Sequence, residues 1–198
     1  MIEAGIGRLL VAGLHQAIAD LLPTRLEFYE AWVNPAGLRI GRIGLGPLTA
    51  VLSFLRQEGE PYRFVTARAG EYVAEWTAAD LSVFTRAVIR AAPPALRARL
   101  VLRVARSMIR HTYRSSRASV RWRKGRGAVT IRGSIFCGVR ERVDHPLCEC
   151  YVSAIRRLMR LFGLDAEVKA EQCRATGSGQ CLLVVRARPA DATADAAG

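Results

Sequence analysis

The sequence predicts an α+β fold in which a four-stranded antiparallel sheet packs against several helices. Three observations predict it. The last part of the chain holds two strand pairs, each turning through glycines, with one helix between them. Upstream of them, apolar residues recur mostly at steps of three and four, the spacing of helices buried on one side. A chain of 198 residues with 51% hydrophobic content is long and apolar enough for one substantial core.

The elements follow in order. Ala4 to Leu22 repeats apolar residues through Ile6, Leu9, Leu10, Leu14, Ile18 and Leu21, which makes an amphipathic helix stopped by Pro23. Thr24 is placed to cap a short helix from Arg25 to Val33, and Asn34-Pro35-Ala36-Gly37 is a turn signal. Arg39 to Pro47 carries Gly41, Gly44 and Gly46 but lacks the spacing and flanking strand of a nucleotide loop. Leu48 to Arg56 reads as a helix and Arg63 to Ala67 as a short strand. Asp80 to Ala92 is helical, Pro93-Pro94 breaks it, and a further helix runs from Pro94 to Arg114. Ser119–Trp122 and Ala128–Ile135 make the first hairpin, Ala166–Ala175 and Gln180–Arg188 the second. The division expected is a helical region over 1–60 that offers a dimerisation face, an α+β domain over 61–188, and a disordered tail over 189–198.

Cysteine spacing carries the chemistry. From Pro146 to Phe162 the residues Cys148, Val152, Ile155, Met159 and Phe162 share one helix face, so Cys148 points into the core and Cys150 away from it. Gly163 ends that helix. Cys173 and Cys181 lie on opposite arms of the last hairpin, around the turn Thr176-Gly177-Ser178-Gly179. Three sulfurs so placed either converge on a zinc ion or remain reduced, separately buried thiols. Cys137 and Cys150 stand outside this frame.

The order Cys148, Gly163, Glu171, Cys173, Gly177, Cys181 resembles the C-terminal half of the 4-vinyl reductase domain, a predicted hydrocarbon-binding family whose fold is shared with the TRAPP tethering subunits. The resemblance is clearest from Ser134 to Arg186. In members that sense phenols, three such cysteines and a glutamate hold a structural zinc beside an aromatic pocket. The resemblance therefore implies zinc on Cys148, Cys173, Cys181 and Glu171. One departure stands out. The family's carboxylate lies three residues before the strand cysteine, where this chain has Ala170. The fourth ligand is then Glu171 across a bulge, His145, or water.

Function follows from the same likeness: a small-molecule module for an apolar or aromatic ligand, a hydrocarbon or a tetrapyrrole. The expected pocket lies between sheet and helices, lined by Trp76, Phe84, Met108, Trp122, Phe136, Tyr151, Ile155 and Met159. The alternatives are a TRAPP-like structural or tethering module, and an accessory subunit or enzyme of tetrapyrrole (bacteriochlorophyll) metabolism. No nucleotide-cofactor signature, Gly-x-Ser-x-Gly elbow, P-loop or His-Glu-x-x-His is present, so binding is expected rather than turnover. A homodimer is expected through the N-terminal helix, Ile6 to Leu22.

The net charge of +13 rests almost wholly on arginine, lysine being confined to Lys124 and Lys169. That matches the coding bias of a GC-rich genome as well as a binding adaptation. Arg99, Arg103, Arg106, Arg110 and Arg114 form one helix stripe, either a solvated face or a contact for an anionic surface or acidic protein. No aromatic residues interleave with it, which argues against single-stranded nucleic acid. Five cysteines, no membrane-length apolar run and no secretory leader point to a cytoplasmic protein.

Overall fold

The computed structural model describes residues 7–32, 44–123 and 125–189. Its elements are α1 (Arg8–Leu21), α2 (Leu26–Glu30), α3 (Leu45–Gln57), α4 (Glu60–Ala79), α5 (Val83–Ala91), α6 (Pro94–Thr112), β1 (Arg117–Arg123), β2 (Arg126–Arg132), α7 (Glu149–Leu161), β3 (Leu164–Gln172) and β4 (Cys181–Pro189). The strands form one antiparallel sheet in the order β1-β2-β4-β3, so the expected α+β class is the class observed. The turn at 34–37, most of the glycine-bearing loop and the tail from 191 lie outside the described residues.

The layers follow from which faces are apolar. Val129 and Ile131 of β2, Leu164, Ala166 and Val168 of β3, and Leu183 and Val185 of β4 are buried on one face of the sheet. Helices α6 and α7 cover that face, α4 packs on α7, and α1 packs on α4. At the crossing of α4 and α7 a side chain on Gly70 would place its Cβ 2.1 Å from the Cys150 carbonyl oxygen, so only glycine allows this approach. Residues of the N-terminal region, Leu10, Leu14, Leu48 and Leu52, share one continuous core with the sheet.

Two expectations are corrected here. Arg63 to Ala67 is not a strand but lies inside α4. Pro61 sits in the first turn of that helix, and Tyr62, Val65, Thr66, Ala69, Val73 and Ala74 are buried at helical spacing. Helix burial thus overrides the local β-preference of Phe64, Val65 and Thr66, and Thr66 satisfies its hydroxyl by donating to the Tyr62 carbonyl at 2.8 Å. The second correction concerns α1. Its stripe of Leu10, Val11, Leu14, Ala17 and Ile18 is buried inside the chain, on the side that packs on α4, so this face is not open to a second copy.

Candidate metal centre and adjoining cleft

Four buried cysteines converge: Cys137, Cys148, Cys173 and Cys181, with all four sulfurs within 4.8 Å of one another. Each comes from a different piece of chain. Cys181 opens β4 and faces inward with Leu183 and Val185, opposite Ile131 of β2. Cys148 occupies the N-cap of α7, where its carbonyl accepts from the Tyr151 and Val152 amides at 3.0 and 3.1 Å. Cys137 is reached through a turn after β2. Gly133 there has φ +67, and a Cβ on it would lie 2.3 Å from the Ser115 carbonyl oxygen. Ser134 Oγ then accepts from the Cys137 amide at 3.3 Å, which fixes the turn.

Cys173 is turned inward by a bulge. Along β3 the even positions Leu164, Ala166 and Val168 are buried, which would leave the odd-numbered Cys173 outside. The pairing slips between Ala170, opposite Leu183, and Gln172, opposite Leu182: two steps on β3 match one on β4. Glu171 and Gln172 both face solvent, and Cys173 returns to the core.

The cluster is compact. Cys137 to Cys148 is 3.5 Å, Cys148 to Cys173 is 3.4 Å and Cys173 to Cys137 is 3.5 Å between sulfurs. Four sulfurs at about 2.3 Å from one tetrahedral ion are about 3.8 Å apart, so the set is sized for a single ion. Backbone amides aim at it: Leu147 N–H donates to Cys173 Sγ and Arg174 N–H to Cys181 Sγ, each at 3.4 Å. The neighbouring Cys137 and Cys148 thiols first, and then these amides, hold Cys173 and Cys181 below the ordinary thiol range. Hydrogen bonding to Cys137 and Cys173, with burial, pushes Cys148 far above it. The surrounding loops are tied down, Val143 N–H donating to the Ala175 carbonyl at 3.0 Å and Thr176 Oγ1 to the Cys173 carbonyl at 2.9 Å.

The cluster differs from the expected set in one member. Cys148, Cys173 and Cys181 come together, and the fourth position belongs to Cys137 rather than Glu171. Glu171 lies on the outer sheet face in a shallow hollow with Glu167, Lys169, Val184 and Arg186, and it meets Arg126 at 3.8 Å. His145 is exposed and pairs with Asp144. Cys150 stays out of the cluster as expected, but it is buried at the α4–α7 contact instead of pointing outward.

A cleft of about 690 Å³ opens beside the cluster. Leu147, Cys148, Val152 and Val168 form its apolar wall, Tyr62, Val143 and His145 flank it, and Arg56, Arg63, Arg156 and Lys169 bring positive charge. None of the eight side chains expected to line a pocket borders this cleft. Phe136 and Tyr151 pack edge to face at 5.3 Å in the closed core, with Ile155 and Met159 also fully buried. Phe84 is 77% exposed, and Trp76 stacks on Tyr72 at the surface. Met108 borders a separate groove of about 400 Å³ with Leu10 and Val73, and Trp122 one of about 290 Å³ with Arg99 and Arg103. Core-facing aromatics here serve packing, whereas the cleft wall uses short aliphatic residues that carry no distinctive pattern.

Four arginines of the expected stripe lie on α6, and Arg114 falls past its end at Thr112. Arg99, Arg103, Arg106 and Arg110 are exposed along α6, and none forms an ion pair among the described residues. Arg103, Arg106 and Arg110 line a groove of about 490 Å³ with Ser107, His111, Ser116 and Arg117. Between Asp80 and Glu141 the sequence has no carboxylate residue at all, yet this stretch holds half of the 30 lysines and arginines. Coding bias adds arginine; it does not empty a stretch of acids. No described helix is long and apolar enough to cross a membrane.

No family model and no curated protein matches the chain. Solved structures do. An H-NOX domain from Shewanella oneidensis in the Fe(II)CO ligation state superposes with a TM-score of 0.57 at 12% identity, covering 92% of this chain and 99% of that one. Trafficking protein particle complex subunit 3 from Naegleria fowleri, covalently bound to palmitic acid, gives 0.54 at 12% identity, covering 73% and 92%. The phenol-responsive sensory domain of the transcription activator PoxR, with phenol, gives 0.51 at 12% identity, covering 76% and 80%. At such identities the likeness establishes the fold, which includes the expected TRAPP-like architecture.

Proposed function

We propose that the chain is a small-molecule-binding module whose site is the cleft beside the cysteine cluster, with a structural zinc ion bracing one wall. The observation that carries this reading is that Cys148 belongs to both: its sulfur is in the cluster and its residue lines the cleft. The likeness of cysteine order to the 4-vinyl reductase domain supports it, as does a fold that binds palmitic acid in one neighbour and phenol in another. The cleft of about 690 Å³ supplies the opening that a binding module requires.

The residues fit zinc. A set of four thiolates is closed, leaving no position for water or substrate, so the metal's contribution is to folding rather than to chemistry. Cys148, Cys173, Cys181 and Cys137 would hold it, and the Leu147 and Arg174 amides would disperse thiolate charge. Cross-linked in this way, the Leu147–Cys148 segment stays fixed as a cleft wall. Pairing of two copies belongs to the same proposal, through a face other than that of α1; light scattering that returns only monomer removes it.

A thermal-shift screen of aromatics, fatty acids and porphyrins tests the function. A ligand present at a hundredfold excess over its dissociation constant stabilises by about 2.7 kcal/mol. Val152→Trp, filling the cleft, should abolish that gain while zinc content is unchanged. A screen without a hit, or a gain that survives Val152→Trp, defeats the reading.

A further inference from the structure

Basic side chains outnumber acidic ones around the cleft, Arg56, Arg63, Arg156 and Lys169 against Glu60 and Glu149. Arg56 and Arg156 are half-buried and line it, yet neither takes part in an ion pair among the described residues. Three acids have partners of their own. Glu58 meets Arg25 at 3.0 Å and accepts from Tyr29 at 3.3 Å, Glu75 is held by Arg157 at 2.7 Å, and Glu149 accepts from Ser153 at 3.3 Å. Arg56 makes one hydrogen bond, to the Phe136 carbonyl at 3.4 Å, which leaves most of its five N–H donors unused. The Tyr62 hydroxyl, close enough to Arg56 to feel its charge, is buried with no hydrogen-bond partner among the described residues, and Tyr62 lines the cleft.

An unpartnered buried hydroxyl and half-buried guanidiniums are costly unless something accepts their hydrogen bonds. Burial pushes the Tyr62 phenol up, so at neutral pH it stays protonated and acts as a donor. Donors thus line the cleft beside a wall of Leu147, Val152 and Val168. Glu60 and Glu149 also line the cleft, and they oppose a second negative charge on any occupant.

Resting on the reading of the cleft as a small-molecule site, we propose that its ligand is a monoanion: an apolar or aromatic body bearing one carboxylate, which Arg56, Arg156 and the Tyr62 hydroxyl hold. Bidentate recognition of a planar carboxylate is what arginine does best, and the aliphatic wall takes the rest of the molecule.

Matched pairs of probes test this by calorimetry on the zinc-loaded protein: decanoate against decanamide, and 1-naphthoate against 1-naphthamide. The acid of at least one pair should bind at least about tenfold tighter than its amide, the size expected of a charge-assisted contact. Arg156→Gln should shrink that preference by weakening the acid far more than the amide, and Arg56→Gln should do the same independently. Zinc content and melting temperature of both variants confirm that they fold. Equal affinities within both pairs, or a preference undiminished by either substitution, overturns the monoanion proposal and leaves small-molecule binding standing. Failure of all four probes to bind at millimolar concentration overturns both.

Discussion

The two hairpins lie in one sheet and differ in a single residue's worth of regularity. β1 and β2 pair without a break from Arg117–Arg132 to Arg123–Arg126, and Arg117, Ser119, Arg121 and Arg123 all stand outward. β3 and β4 slip by one residue at Glu171, and the slip sends Cys173 inward. Unbroken alternation sorts side chains into a charged face and an apolar face, and nothing more. The bulge moves one cysteine across the sheet, and that move completes the cluster. Chemistry collects where the period of the strand is interrupted.

Several changes should break this contrast or sharpen it. The largest effect is expected from Cys173→Ser, which removes one of four ligands: bound zinc, read by metal analysis, should be lost together with several kcal/mol of stability in denaturant titration. Deleting Glu171 is the sharper change, because it takes away no sulfur. With the extra residue gone, plain alternation carries Gln172 outward and Cys173 inward beside Cys181, so zinc should stay near the wild-type level; loss of zinc would show that the bulge does more than absorb one extra residue. Cys150→Ser comes next. Its sulfur is buried at the α4–α7 contact, outside the cluster, so zinc should stay at the wild-type level while stability falls by about 1–3 kcal/mol for a buried hydroxyl without a partner. The smallest effect is expected from Glu171→Gln, within about 0.5 kcal/mol and with zinc unchanged, since its one ion pair is long and half-exposed. Acid should release the metal from wild type, because protons compete for the thiolates as pH falls.

Much of the fold was legible in the sequence. The two hairpins, the helix between them and the arginine-striped helix announce themselves by periods of two and of three to four, and their ends fall at glycine or proline. The strand expected at 63–67 was misread because Phe64, Val65 and Thr66 favour strands locally, while the pattern that decides, Tyr62 to Ala74, spans a longer window. For the cluster, helix spacing showed Cys148 facing inward, and proximity to the turn paired Cys173 with Cys181. Cys137 carries no periodic signal, since it sits in an irregular turn fixed by Gly133 and Ser134. Glu171 was drawn toward the metal by regular alternation, which keeps it on the same face as Cys173; the bulge separates them. The cleft was invisible for a different reason. Its wall residues Leu147, Val152 and Val168 look like any core residues, and the arginines opposite come from α3, α4 and α7.

X-ray absorption at the metal edge of protein purified without chelator tests the central claim most directly. Four sulfur neighbours near 2.3 Å around one zinc per chain, with no oxygen or nitrogen in the shell, is the result predicted for Cys137, Cys148, Cys173 and Cys181. Three sulfurs with one lighter neighbour, or no metal at all, would contradict it.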